Sequence, residues 1–337
     1  MKIVVYGPER RVGVLRDGSV VDACYAFAKY LRETVGERYP LEHAQAITPS
    51  DLARFIEGGK RALDNTQKAL DHLFGKAADR DGIRGEKIVY QPNEAKLHAP
   101  RPANARIACA GGNFADHAEA MAKRLHRPFD GKARDVIRNG GIWGFWKVHR
   151  EPNGPDQDIT YPAKAQRLDY EGEAAIVLGR EVKDFNGADI KPYVWGVTLL
   201  GDWSIRQLKE GSFPHNFAMG KNFDNSCSLG PCIAVDEADA TNVDVETWVN
   251  GDRRQRYNTK DMVFSFGEFM EYLSRDFTLY PGDIISGGTA AGTAADSSEI
   301  KDGVFAPERF LKAGDTVEIK SPQVGSLKSK IVVKKNR

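Results

Sequence analysis

Two glutamates, Glu171 and Glu173, stand two residues apart where the chain enters the apolar run Ala174-Ala175-Ile176-Val177-Leu178, which closes on Gly179. A run this short, bounded by glycine, reads as a buried strand. Residues i and i+2 of a strand point to the same face, so both carboxylates stand side by side at the entrance to the core. Like charges so placed repel, and their burial is costly unless something positive lies between them. A divalent cation is the economical answer. About thirty residues on, a second apolar strand ends in Gly201-Asp202-Trp203-Ser204, which sets a third acid, Asp202, at a strand end. Three carboxylates suit a hard cation: magnesium, manganese or calcium. Spacing alone also allows a solvated edge for the glutamates and a turn cap for Asp202.

The rest of the composition narrows the setting. A chain of 337 residues with 41% hydrophobic and 28% charged residues is long and apolar enough for one large or two ordinary globular domains. Its formal net charge of +1 gives no electrostatic reason to expect nucleic acid or a membrane surface as partner. No apolar stretch approaches the roughly 18 residues of a membrane span. The start, Met1-Lys2-Ile3-Val4-Val5-Tyr6-Gly7-Pro8, reads as a first strand and not a signal peptide. Cys24, Cys109, Cys227 and Cys232 are scattered, as expected of reduced thiols in a cytoplasmic protein.

Residues 1–100 read as a small α/β domain, a cap or a dimerisation module. Residues 12–22 form a hairpin about Asp17-Gly18; helices follow at 23–35, after the polar cap Thr48-Pro49-Ser50-Asp51, and at 61–74. Pro100 and Pro102 mark a joint. In 101–337 strands dominate, at 107–110, 195–200, 232–235, 247–249, 283–286 and 316–319, with a hairpin turn at Asn250-Gly251 and one clear helix at 264–273. So few helices among so many strands argue for an α+β protein built on a mixed β-roll rather than a doubly wound sheet. The basic, weakly patterned segment 124–138 reads as a mobile loop or lid.

Further candidates lie on both sides of the acids. His117 follows the turn Gly111-Gly112 and has the chemistry of a general base. Arg206 follows Asp202 by four residues and would share its face if a helix began there; Lys209 comes three later. Lys221, in Gly220-Lys221-Asn222-Phe223-Asp224, is a third cation able to meet an anionic substrate or an oxyanion. The stretch Ser286-Gly287-Gly288-Thr289-Ala290-Ala291-Gly292-Thr293 could offer backbone N–H groups and the Thr289 hydroxyl to a carboxylate, or be a plain tight turn. It has neither P-loop lysine nor GxGxxG spacing, and the chain carries no GxSxG elbow, which disfavours nucleotide binding and serine hydrolysis. The other histidines, at 43, 72, 98, 126, 149 and 215, show no partner in the sequence.

Taken in order, these segments resemble the fumarylacetoacetate hydrolase family over roughly residues 97–333. Gly111 to His117 looks like its Gly-x-Asn-Phe-x-x-His lid, Asp169-Tyr170-Glu171-Gly172-Glu173 like its metal motif, and Gly201-Asp202-Trp203-Ser204-Ile205-Arg206 like its Asn-Asp-x-Ser-Ala-Arg segment. Gly220-Lys221, Val249-Asn250-Gly251-Asp252, Thr259-Lys260-Asp261-Met262, Tyr280-Pro281-Gly282-Asp283 and Gly288-Thr289 follow in the family's order. The resemblance implies a β-roll catalytic domain over 101–337, a homodimer, and magnesium or manganese held by Glu171, Glu173 and Asp202. It implies a 2-oxo or 2,4-dioxo acid as substrate, chelated by the metal, with Lys221 supporting the enolate and Arg206, Gly288 and Thr289 holding substrate oxygens. His117 would activate water. The expected activity is hydrolysis of the C–C bond of an acylpyruvate of the fumarylpyruvate type, in breakdown of aromatic compounds or sugar acids. Hydration, dehydration, isomerisation or decarboxylation of a 2-oxo acid on the same site is the alternative, and a non-catalytic binding role the third. Two departures stand out. The glutamate that pairs with the lid histidine three residues on is Ala120 here, with Glu119 one place early, where a helix would not face it toward His117. Lys209 replaces a glutamine, adding positive charge suited to a second substrate carboxylate.

Overall fold

A computed structural model describes residues 1–148, 150–187, 189–211 and 216–333; the histidines at 149 and 215 lie outside it. The chain opens with strands β1 (Lys2–Tyr6), β2 (Arg11–Arg16) and β3 (Ser19–Asp22). The β2–β3 turn is the expected Asp17-Gly18 pair, both at positive φ (48° and 78°), the geometry a tight hairpin demands. Asp22 then caps helix α1 (Ala23–Tyr30) by accepting from the Tyr25 N–H at 2.7 Å. Helices α2 (Pro40–Ile47), α3 (Leu52–Glu57) and α4 (Gly59–Gly75) follow, α3 capped by Asp51 as its sequence predicts. The 40–47 helix escaped the sequence reading.

Next come β4 (Ile107–Ala110), α5 (Ala115–Arg124), α6 (Ala133–Gly140) and β5 (Gly144–Lys147). Segment 124–138, expected to be a loop, is the end of one helix, a short connection and most of a second. β6 (Ala165–Asp169), β7 (Gly172–Leu178), β8 (Val194–Asp202), β9 (Ser204–Leu208), α7 (Phe217–Lys221) and β10 (Cys227–Ala234) carry the chain through the middle. The last part holds β11 (Asp244–Val249), β12 (Asp252–Asn258), α8 (Phe266–Ser274), β13 (Ile284–Ser286), α9 (Ala294–Ser297), β14 (Thr316–Ser321) and β15 (Gly325–Val332).

Among the described residues one eleven-stranded mixed sheet organises the fold, in the order Val89–Tyr90, β3, β2, β1, β10, β8, β7, β13, β4, β5, with Leu97–His98 also on β1. Only the β13–β4 pair is parallel. The joint at Pro100 and Pro102 does not interrupt this sheet: β1 hydrogen-bonds to β10, so the first hundred residues extend the strands of the remainder. One face is covered by α1, α3 and α4, where Phe27, Phe55 and Ile56 pack with Ala175, Val177 and Leu200. The other face meets a second sheet, β12-β11-β14-β15, through Ile176, Val197 and Leu199 against Val245, Ile319 and Leu327. A strand covered on both sides must be apolar throughout, which is why β7 and β10 are buried along their whole length. Where β7 and β8 begin and end, Gly172 stands opposite Gly201. A Cβ on Gly172 would lie 2.1 Å from the Thr247 hydroxyl, and one on Gly201 would press into Trp203 at 2.8 Å, so the glycine pair lets the second sheet and the buried indole close beneath the strand ends.

Candidate active site

Antiparallel register assembles the acids. Asp202 donates its N–H to the Glu171 carbonyl at 2.9 Å and Glu173 stands opposite Leu200, so Asp202 and Glu171 face each other across the β7–β8 pair with Glu173 two residues along. All three are buried, and one ligand atom from each lies within 4.8 Å of the others. The solvated-edge alternative is thereby excluded.

Cations crowd the triad. Lys221, at the end of α7, donates to Glu171 Oε2 at 2.5 Å and to Asp202 Oδ2 at 2.6 Å. Burial alone would drive its ammonium toward neutrality, but Asp202 and Glu171 outweigh that and raise its pKa. Arg206 donates through Nε to Asp169 Oδ2 at 2.9 Å and through Nη2 to Glu171. It does so from a strand, β9, and not from a helix begun at Asp202; β9 pairs with β6 and thereby sets Arg206 beside Asp169. Lys147, at the end of the edge strand β5, donates to Asp202 and, at 2.6 Å, to the Lys221 carbonyl.

Glu171 and Glu173 differ sharply. Burial would raise the pKa of Glu171, yet Lys221 and then Arg206 overcome it and hold the carboxyl well below its usual range. Glu173 has the Ser286 hydroxyl at 2.5 Å and, among the described residues, no ion pair. Burial, then Asp202 and Glu171, push its pKa far up. The cluster is thus short of positive charge at Glu173, and a divalent cation shared by Glu171, Glu173 and Asp202 would supply it. The all-carboxylate donor set fits a hard ion.

Above the triad opens a cavity of about 540 Å³. Glu171, Glu173, Lys221, Arg206 and Thr289 form its polar end; Met121, Leu125, Trp143, Phe145 and Phe217 are among its apolar walls. His117, on α5, also lines it. Its Nδ1 lies 2.7 Å from Asp296 Oδ2. A carboxylate only accepts, so Nδ1 carries the hydrogen and Nε2 is the nitrogen left to accept a proton. Asp296 is itself buried and held by the Gly292 N–H and the Ser297 hydroxyl. Asp169 joins the two halves, accepting from Arg206 on one side and from the Ala294 and Ala295 N–H groups, at the start of the turn bearing Asp296, on the other.

The remaining expected residues fall less centrally. Glu119 is exposed on α5 and is not among the cavity residues, so the partner of His117 is Asp296 from 179 residues away. Lys209 is exposed just past β9 and likewise off the cavity. The Thr289 hydroxyl donates to the Gly172 carbonyl at 3.0 Å and accepts from Gln255 at 2.8 Å. Gly288 has φ +85°, and a Cβ there would lie 2.9 Å from the Ala110 carbonyl oxygen, so the position has no room for a side chain. The N–H groups of Gly287, Gly288 and Gly292 already bind protein oxygens. Sequence reasoning missed Lys147, Ser286 and Asp296. A lysine ending the aromatic strand Gly144-Phe145-Trp146-Lys147 was the one local hint; the other two give none.

Fold and site together describe a mixed α/β protein without a closed barrel, carrying a buried carboxylate triad at the end of its central strands. Residues 106–332 match the family described as fumarylacetoacetate (FAA) hydrolase, C-terminal, and the chain belongs to that family. Oxaloacetate tautomerase YisK of Bacillus subtilis is 33% identical over 291 residues, 84% of this chain and 87% of that protein. The mitochondrial oxaloacetate tautomerase Fahd2a of Rattus norvegicus is 31% identical, over 84% of this chain and 80% of its own length. Among solved structures, the fumarylacetoacetate hydrolase of Exiguobacterium antarcticum superposes with a TM-score of 0.66 at 25% identity, covering 99% of this chain and 100% of that one. A maleylpyruvate hydrolase of Sphingobium sp. SYK-6, solved with manganese(II) and pyruvate, shares the fold at a TM-score of 0.66 and 22% identity, over 99% of this chain and 100% of that one.

Proposed function

We propose that this enzyme interconverts the keto and enol forms of a 2-oxo acid, with magnesium or manganese held by Glu171, Glu173 and Asp202. A divalent ion there would polarise the 2-oxo group and bind the neighbouring carboxylate. His117 Nε2 takes the proton from the carbon beside that group, the C–H pair becomes the C=C bond, and the charge passes to the 2-oxygen, where the Lys221 ammonium stabilises it. Return of the proton to oxygen completes the enol. Asp296 holds the imidazole in the tautomer this requires.

The observation that carries the reading is Ala120 three residues after His117, with Glu119 turned to solvent. Tautomerisation needs one positioned proton carrier, which the His117–Asp296 pair supplies. C–C hydrolysis needs in addition a group that holds the attacking water, and outside the triad no cavity-lining carboxylate is found among the described residues. The two oxaloacetate tautomerases that match 84% of the chain support the same choice. The roomy apolar cavity favours hydrolysis of an acylpyruvate as the second reading. The setting that accompanies either is a cytoplasmic homodimer acting on a small 2-oxo acid.

The test follows the ultraviolet absorbance of the enol as oxaloacetate ketonises with magnesium or manganese present. The protein should accelerate the decay, with no change in substrate mass, and Asp296→Ala should lower kcat on the order of 100-fold. Efficient splitting of an acylpyruvate into two fragments, with enol decay unaffected, would overturn the proposal in favour of hydrolysis.

A further inference from the structure

Segment 124–138 carries five cations, Arg124, Arg127, Lys132, Arg134 and Arg138. Three are engaged within the fold. Arg124 donates to the Asp296 carbonyl at 3.2 Å, Arg134 to the Met262 carbonyl at 2.9 Å, and Arg138 pairs with Glu268 at 2.8 Å. Lys132 is exposed and off the cavity. Arg127 is exposed as well, but it alone among them lines the cavity, and its guanidinium has no hydrogen bond or ion pair among the described residues.

Local backbone geometry puts it there. Helix α5 ends in a left-handed cap: His126 has φ +55°, its N–H bonds to the Lys123 carbonyl at 3.2 Å, and the Arg127 N–H bonds to the Ala122 carbonyl at 2.8 Å. This paired closure fixes the exit direction of the chain at Arg127. The other cavity cations, Lys221 and Arg206, are both occupied by the buried carboxylates. The other described residues lining the cavity are largely aliphatic and aromatic. Beyond the triad and its cations, a ligand bound there by its 2-oxo acid end thus finds one uncommitted charge among the described cavity residues, and that charge is positive.

We propose that Arg127 is a specificity-determining residue that receives the distal carboxylate of a 2-oxo dicarboxylic acid. This rests on the proposed 2-oxo acid site and assigns the role that Lys209, exposed and away from the cavity, does not fill. A planar guanidinium suits a carboxylate bidentately, and a hydrogen bond to a charged group is strong enough to sort diacids from monoacids.

The experiment is calorimetric titration of the manganese-loaded full chain with oxaloacetate and 2-oxoglutarate as diacids and 2-oxobutyrate as monoacid. Wild type should bind a diacid more tightly. R127Q should weaken diacid binding by roughly 10- to 100-fold and leave 2-oxobutyrate unchanged. R127K should recover part of the loss and K209Q should change nothing; equal melting temperatures will show that the variants fold. Equal loss for both acid classes, or no loss for R127Q, overturns the assignment of Arg127 while leaving the 2-oxo acid site standing. Failure of every acid to bind in a metal-dependent manner removes both.

Discussion

At the scale of single residues, Lys147 and Ser286 show how much of a site lies in side chains that do not line the cavity. Lys147 is fully buried, is not among the cavity residues, and its ammonium pairs with Asp202. Removing one partner of a buried ion pair leaves an uncompensated charge, so Lys147→Met should cost about 3–5 kcal/mol of stability in urea unfolding. A change under about 1 kcal/mol would refute this account of the network. Ser286 restrains Glu173 through a 2.5 Å hydrogen bond. Partners of this kind orient metal ligands, so Ser286→Ala should weaken manganese binding about 10-fold, measured by calorimetry, with little effect on folding.

At the scale of elements, helices α5 and α8 show what local sequence can and cannot convey. Helix α8 begins with a reciprocal cap: Ser265 accepts from the Glu268 N–H at 3.2 Å and Glu268 accepts from the Ser265 N–H at 2.8 Å. That signature was readable, and so was the helix. Burial raises the Glu268 pKa, but Arg138 and Ser265 together outweigh it and the net shift is downward. A carboxyl depressed in the folded state contributes stability above its unfolded pKa, near 4.3, and loses it as pH falls through the folded value. Glu268→Ala should therefore cost about 1 kcal/mol at pH 7, chiefly through the cap because the Arg138 pair is exposed, and much less at pH 3, as paired urea melts would show. Helices α5 and α6 escaped the sequence reading because they are short and mostly polar: apolar residues recur at helical spacing, at Ala118, Met121 and Ala122 and at Ala133, Val136 and Ile137, but charged residues separate them and most of that apolar face lines the cavity instead of the core.

At the scale of the whole molecule, the site depends on two sheets closing under one pair of strand ends. Gly172 and Gly201 lie at that contact. Gly172→Ala would force a methyl into the Thr247 hydroxyl and should destabilise the protein by about 1–3 kcal/mol or more, while Gly75→Ala, with open space around it and no left-handed backbone, provides the comparison by thermal melting. The first hundred residues also belong to this scale. Because β1 pairs with β10 and helices α1, α3 and α4 cover Ala175, Val177 and Leu200, a chain of residues 101–337 should lack a cooperative melting transition in calorimetry. A sharp transition in that fragment would show that the two parts fold separately.

The sequence by itself determined the pairing of Glu171 with Glu173, because strand periodicity acts over two residues, and the placing of Asp202 at the end of an apolar run. It also determined the turns at Asp17-Gly18 and Asn250-Gly251 and the capped helices, since each is written in adjacent residues. The metal-binding character of the acids needed the β7–β8 register, which sets Asp202 opposite Glu171. Only the tertiary structure decided the partners: Asp296 in place of Glu119 for His117, Arg127 in place of Lys209 at the cavity, Lys147 behind Asp202. These contacts span up to 179 residues of chain and arise from packing of elements whose own sequences are silent about each other. Local propensity acts over a few residues, whereas burial and charge neutralisation act between whatever surfaces the fold brings together.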